Sequence, residues 1–308
     1  MDIKQLKFLN ALAREQHFGR AAEQCFVSQP TLSARIRQLE QELGVMIVER
    51  GSHSYHGLTA EGQRVLHWAQ RILADCDSMR QDVSAMQDEL AGAMSLGVIP
   101  SALLFAPLLT VPFHQRHPRV SVRVLSQSSQ EIQRNLDGFD IEAGLTYIDN
   151  EPLQNVRRLP LYQERYAVLT ASETFEDRNT IEWIEAASLS LCLLTPDMQN
   201  RRIIDSVFAQ LNCQPIPEIE TNSIVNLYAH VRMGKLSTIV PANFAAVIGG
   251  QDVRTIPLIE PEIVHTIGLV VADRDPVSPL VGAILDLAED IDLSVIDAQM
   301  WQPEQASQ

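Results

Sequence analysis

Residues Phe18 to Tyr55 read FGRAAEQCFVSQPTLSARIRQLEQELGVMIVERGSHSY. Arg20 to Cys25 suits a short helix, and the small Ala21 and Ala22 let a second helix cross it closely. Phe26 and Val27 leave room only for a turn. Ser28 can then cap a helix, and Pro30 sits in its first turn, where a missing N–H costs nothing. Leu32, Ile36, Leu39 and Leu43 follow at spacings of four, three and four, which makes one buried face. The other face carries Gln29, Thr31, Ser33, Arg35, Arg37 and Gln38, side chains that bond base edges and phosphates. The pattern predicts a helix-turn-helix whose second helix enters a major groove. A solvated surface helix is the plainer reading of the same polar residues.

Gly44 ends that helix, Val45 to Val48 suits a short strand, and Gly51 to Gly57 is a polar turn with the outline of a wing. Upstream, Ile3, Leu6, Phe8, Leu9 and Leu12 recur at helical spacing, as expected of a supporting helix over Met1 to Glu15. Downstream, Thr59 can cap a helix, with Glu61 in its first turn. From there to about Leu90 there is no Pro, and the apolar positions are Val65, Ala69, Ile72, Cys76, Met79, Val83, Met86 and Leu90. Alternating spacings of four and three make this a heptad seam. A helix of about thirty residues spans ~45 Å. Its narrow stripe predicts a coiled coil between two subunits, which would set the separation of two recognition helices and hence of two half-sites. Packing against its own chain is the alternative.

Gly92 opens a different pattern. Compact apolar runs at Met94 to Ile99, Val120 to Leu125, Ile141 to Leu145, Ala167 to Leu169, Leu189 to Leu194, Leu236 to Val240 and Ile267 to Val271 read as strands. Helical stretches lie between them at Leu103 to His114, Ser129 to Leu136, Ile203 to Leu211, Ile224 to Val231 and Leu280 to Leu287. Pro107 and Pro112 are expected to kink or break the first of these. Strands alternating with helices predict parallel sheets covered on both faces.

A chain of 308 residues with 45% apolar and 20% charged residues has the composition of a folded protein of two or three domains. Met1 to Asn10 has no apolar run, and no stretch approaches the ~18 continuous apolar residues of a membrane span, so a cytoplasmic location is expected. Cys25, Cys76, Cys192 and Cys213 are far apart, with no C-x-x-C pair, which points away from zinc and from a disulfide framework. His114 and His117 share a helical face but have no nearby third ligand, so no metal and no cofactor are expected. The net charge of -15 argues against a nucleic-acid partner until its distribution is considered. Met1 to Leu90 holds 10 basic and 12 acidic residues, net -2, leaving 14 and 27, net -13, beyond. With so few cations, one copy should bind DNA weakly, and affinity must come from several copies on one site.

Ala21-Ala22-Glu23-Gln24, Val27 through Ser33, Ile36-Arg37-Gln38-Leu39-Glu40, Leu43-Gly44, Glu49-Arg50 and Leu58-Thr59-Ala60-Glu61-Gly62 together closely resemble LysR-type transcriptional regulators. The resemblance covers the whole N-terminal domain. Cys25 stands where a Leu is usual and Val48 where a Phe is usual. The wing carries His53 and His56 where the family often has an Arg, which leaves its minor-groove readout absent or pH-dependent. The resemblance implies an α+β multi-domain protein with a winged helix-turn-helix over residues 1–58 and a linker (dimerisation) helix over 59–91. A two-lobed α/β effector-binding domain like the periplasmic binding proteins would follow over 92–297, then a loose tail over 298–308. Lobe one would take 94–161 and 265–293, and lobe two 162–264. Ser28, Gln29, Pro30, Thr31, Ser33, Arg35, Arg37, Gln38, Arg50 and His53 are the expected DNA contacts.

Ligands of such sheets bind at strand C-termini, where helix N-termini direct N–H groups into a crevice. Ser101, Ser128, Ser129, Thr195, Asn222 and Ser223 fit that description, and in the family the matching loops contact the effector. Each is equally readable as an N-cap. Donor-rich helix ends favour a small carboxylate, which Arg157 or Arg201 could neutralise. The expected function is a sequence-specific regulator of transcription on double-stranded promoter DNA, tuned by a small organic anion. It would act as a homodimer or homotetramer, with RNA polymerase as a partner if it activates. An enzyme is a rival, but no nucleophile elbow, P-loop, metal cluster or G-x-G-x-x-G is present. A solute-binding transport component is a second rival. Some relatives sense peroxide through a cysteine pair, for which Cys192 and Cys213 are the candidates here.

Overall fold

The computed structural model describes residues 1–50, 55–86, 90–150, 153–171, 178–248 and 252–291. His53 and the side chain of Arg50 fall outside what is described, as does the tail from 298. The chain forms two compact units, one centred on Met1–Glu89 and the other on the chain from Leu90 onward.

In the first unit, α1 (Ile3–Glu15), α2 (Phe18–Gln24) and α3 (Gln29–Leu43) pack through Leu6, Leu9, Leu12, Ala21, Ala22, Leu32, Ile36 and Leu39, all buried. Each helix starts on a side-chain cap. The Asp2 carboxylate accepts from Gln5 N at 2.8 Å and closes a capping box; His17 Nδ1 accepts from Gly19 N at 3.0 Å; Ser28 Oγ accepts from Thr31 N. Leu43, expected in the buried stripe, is exposed. It lies in the last turn of α3, beyond the α1 and α2 packing, and Gly44 at φ +70° turns the chain away there. The strand expected from Val45 begins only at β1 (Val48–Arg50), which pairs antiparallel with β2 (Tyr55–Leu58). Tyr55 to Gly57, assigned from sequence to the wing's turn, therefore belong to its second strand.

Helix α4 (Ala60–Ala85) starts on Thr59, whose hydroxyl donates to Met46 O at 2.6 Å and accepts from Gly62 N at 2.9 Å. A Cβ on Gly62 would stand 2.0 Å from Ile47 O, so only glycine lets the helix seat here. For the first part of this helix the packing is the alternative one, against its own chain. Ala69 is fully buried, and Val65 and Ile72 pack with it against the first unit's own core. Met79, Val83 and Met86 are 60%, 57% and 85% exposed. Leu90 is not in the helix; it packs against the core of the second unit.

The second unit holds one mixed sheet, ordered β4–β3–β5–β12–β6–β11–β7, with β10 also on β6. Strands β3 (Gly92–Val98), β4 (Val120–Ser126) and β5 (Ala143–Tyr147) are parallel, with α5 (Ala106–Arg116) and α6 (Ser129–Asp137) as crossovers. Pro107 lies in the first turn of α5, and Pro112 is carried inside a helix that continues to Arg116. The all-parallel expectation fails at β6 (Val156–Ala171) and β12 (Val264–Ala272), which run antiparallel to each other. Residues Val156–Arg165 of β6 pair with β12; Tyr166–Ala171 pair with β10 (Thr238–Pro241) and β11 (Val253–Ile259), both antiparallel. One long strand thus joins both halves of the sheet.

Around it stand β7 (Ile181–Glu182), α7 (Trp183–Ala186) and the parallel pair β8 (Cys192–Leu194) and β9 (Ile219–Thr221). Helices α8 (Gln199–Gln210), α9 (Ile224–Met233), α10 (Ala242–Ile248) and α11 (Pro279–Asp290) complete the unit. Its large core centres on Trp183, Tyr147, Tyr166, Phe113 and Phe208. A second cluster gathers Leu169, Leu194, Leu227, Val240 and Phe244.

Candidate functional site

The outer face of α3 carries the polar residues singled out on that helix, Gln29, Thr31, Ser33, Arg35, Arg37 and Gln38, and none of these six is buried. Gln29, Ser33 and Arg37 stand one turn apart, and Arg37 donates to Ser33 Oγ at 3.2 Å. Arg35 is held by Asp2 at 3.5 Å and donates to Gln38 Oε1 at 3.2 Å; Gln38 in turn donates to Glu42 at 2.9 Å. Such exposed pairs are worth ~1 kcal/mol or less, so a phosphate or base edge can displace them. Ser28 and Thr31 share a hydrogen bond of 2.8 Å at the cap, where they shape the end of the helix as much as its surface. Glu40, which carried no expectation, is buried, and its carboxylate accepts from Ile47 N at 3.0 Å and Val48 N at 3.2 Å. That bond fixes the first wing strand to the recognition helix.

In the second unit a narrow cavity, with room for about one water-sized group, is lined by Ile99, Ser101, Ser128, Ser129, Tyr147 and the start of α8, Met198 to Asn200. Three of the six residues predicted to bind effector meet here. Ser101 lies in the short turn Pro100–Ala102 after β3. Ser128 and Glu131 form a reciprocal cap on α6, Ser128 N donating to the Glu131 carboxylate at 2.8 Å, so Ser128 is engaged structurally. Ser129 Oγ accepts from Arg202 at 3.3 Å.

Ser101 Oγ and both carboxamide atoms of Gln199 and Asn200 are buried with no hydrogen bond of ordinary length, although Ser101 stands near the Glu164 carboxyl and Asn200 near the Tyr147 hydroxyl. Buried polar groups are normally satisfied, so these atoms are the donors and acceptors that a water or another small polar group in the cavity would meet. Behind the wall, Tyr147 donates to Glu164 at 2.7 Å, Tyr162 to Glu164 at 3.5 Å and Tyr166 to Tyr147 at 3.4 Å, all buried. Burial pushes the Glu164 carboxyl up to about 7, against the lowering influence of Tyr147, Ser101 and Tyr162.

The model described as "Bacterial regulatory helix-turn-helix protein, lysR family" matches residues 3–63, and that described as "LysR substrate binding domain" matches residues 87–291. The chain belongs to the LysR family. As a LysR-family protein it is a DNA-binding transcriptional regulator with an effector-binding domain. The DNA-binding transcriptional dual regulator OxyR of Escherichia coli (strain K12) is 28% identical over 294 residues, 94% of this chain and 95% of that protein. A full-length OxyR variant from Pseudomonas aeruginosa superposes with a TM-score of 0.75 at 26% identity, covering 99% of each chain. CbnR, solved full-length with its target DNA, has a TM-score of 0.65 at 20% identity, covering 94% of this chain and 99% of that one, and shows the shared fold.

Within this LysR chain some expected effector residues lie elsewhere. Asn222 and Ser223 are exposed, and Ser223 is the N-cap of α9. Thr195 is not in the cavity wall, although its Oγ1 is buried without a partner. Neither expected arginine faces the cavity. Arg201 is spent on Asp205, Glu220 and Leu194 O, and Arg157 on Asp273 and Arg274 O. The nearby cation is Arg202, held by Pro196 O and Asp197 O and reaching Ser129. Sequence spacing gave no sign of Gln199, Asn200 or Tyr147; the only available signal was their place just after, or at the end of, an apolar run. Cys192 is fully buried in the second cluster, and burial pushes its thiol up to about 11. Cys213 lies at the margin of the main core. Among the described residues no helix is long and apolar enough to cross a membrane, and no metal-ligand cluster occurs.

Proposed function

We propose that this LysR regulator reads double-stranded promoter DNA with Gln29, Ser33 and Arg37 of α3, with Pro30, Arg35 and Gln38 flanking them and Ser28 and Thr31 fixing the helix end. The supporting observation is the uninterrupted polar face of α3 on a core closed by Leu32, Ile36 and Leu39. Two or four copies, joined along the exposed part of α4, would place such helices on successive half-sites. Arg50 and His53 remain candidate wing contacts.

The molecule acts by binding, through the hydroxyls and carboxamides that line the cavity. Its effector is a small, oxygen-rich molecule, best a carboxylate, bound by Ser101, Ser129, Gln199 and Asn200 with Arg202 at the edge. The cavity has room for about one water-sized group, which favours a very small ligand or one small group of a ligand. Binding there would favour one arrangement of the lobes, change operator geometry and so alter engagement of RNA polymerase. Thiol sensing at Cys192 is disfavoured, because a buried thiol with a raised pKa holds almost no thiolate.

Salt-dependent retardation of DNA flanking the protein's own gene tests this reading. Ser101→Ala with Gln199→Ala should abolish effector response while DNA binding persists. Absence of any retardation would remove the DNA-binding role, and an unchanged response would move the effector site.

A further inference from the structure

We propose that Glu164 sets the hydrogen-bond polarity of the effector cavity, so that ligands presenting acceptor oxygens, a carboxylate or carbonyl, bind with uptake of one proton at Glu164. This rests on the preceding assignment of the cavity as the effector site.

Side chains two apart on a strand share a face, so Tyr162, Glu164 and Tyr166 of β6 point the same way. The titratable groups around Glu164 come from three elements and a loop. Tyr147 approaches from β5 and the two tyrosines from its own strand. His265 stands opposite it on β12, its ring edge-on to Tyr147 and Tyr166 and its Nδ1 3.1 Å from Asp149. Among the described residues no ion pair reaches Glu164; its partners are hydroxyls. An unpaired carboxylate in a dry site is costly, and the neutral form becomes competitive near neutrality.

Tyr147 and Ser101 both line the cavity, and both stand beside Glu164. When Glu164 is ionised it draws the Tyr147 hydrogen towards itself, and Ser101 is biased the same way. The cavity then meets hydroxyl lone pairs with a negative charge behind them. When Glu164 is protonated it becomes the donor, Tyr147 oxygen accepts, and the tyrosine hydrogen is released towards the cavity. Only the second arrangement offers this donor to a carboxylate and removes a like charge from behind it. The proton comes from solvent, and no covalent bond changes. Gln199 and Asn200 can present either end of their carboxamides and so accommodate both states.

The test is calorimetry on the full chain with formate and acetate, and with the matching amides, between pH 6 and 8.5 in buffers of different ionisation heat. Carboxylate affinity should fall about tenfold per pH unit above the Glu164 midpoint, with uptake approaching one proton per ligand. Glu164→Gln should bind with little pH dependence and no uptake. Wild-type binding without pH dependence or uptake would overturn this inference and leave the pocket assignment standing, and uptake persisting in Glu164→Gln would transfer it to another group. If no probe binds at any pH, the pocket assignment falls and this inference with it. Carboxyl-labelled NMR of the unliganded protein supplies a second reading: a carboxyl midpoint near neutrality is expected, and one in the ordinary glutamate range overturns the proposal.

Discussion

Gln29 and Ser33 are the residues on which the proposed base readout rests. Replacing either with Ala should cost ~1 to 3 kcal/mol on the preferred operator and much less on unrelated DNA, so the ratio of the two affinities should shrink. Competition binding with specific and random duplexes measures that ratio. At Glu164 the raised carboxyl pKa has a defined sign. Its ionised form disfavours the fold, so its contribution is fully present below the ordinary glutamate pKa and is lost as pH rises towards about 7. The difference in stability between wild type and Glu164→Gln should change by up to ~3 kcal/mol across that window, read by denaturant unfolding at each pH. Cys192 should react with peroxide or iodoacetamide only at the rate of global opening, whereas rapid modification at neutral pH would revive the thiol-sensing alternative. The caps at Ser28 and Thr59 and the stripe of Leu32, Ile36 and Leu39 were readable from sequence, because helix ends and helical faces are local. Glu164, Gln199 and Asn200 were not, because burial of a polar side chain depends on strands and helices distant in sequence.

At the scale of elements, α4 divides its apolar stripe between two tasks. The first heptads seat the helix on the DNA-binding head, and the later ones remain open. Trp68, also exposed and covered by Arg71 at 5.6 Å, lies one position from the buried Ala69 and extends the open face, a feature hidden by the regular spacing of Val65, Ala69 and Ile72. Met79→Glu with Val83→Glu should therefore lower the sedimenting mass without unfolding the head, whereas Ile72→Glu should destabilise the head itself. Unchanged mass for the double variant would remove α4 as a subunit joint. Glu40→Ala should leave Ile47 and Val48 N–H groups unsatisfied and cost on the order of 2 kcal/mol in thermal or denaturant unfolding. The long β6 was visible only at Ala167 to Leu169, because Arg157, Arg158, Gln163 and Glu164 break the apolar run that signals a buried strand. Its antiparallel partners are far away in sequence, and no local pattern reports them.

At the scale of the molecule, an acidic chain of net charge -15 must still hold DNA. The polar strip of α3 gives each copy few phosphate contacts, so binding should be cooperative in protein and lose affinity steeply with salt. In the proposed function, joining copies along α4 would supply the multivalency that composition withholds, and the effector lobes would bias the arrangement in which those copies meet DNA. The most direct measurement is a footprint of the full-length protein on DNA flanking its own gene, with wild type and a Gln29→Ala, Ser33→Ala, Arg37→Ala variant compared at equal oligomeric mass. Protected half-sites one or more helical turns apart, lost in the variant while random-DNA binding persists, are the expected result. The same protected bases in both proteins would contradict recognition by this face of α3.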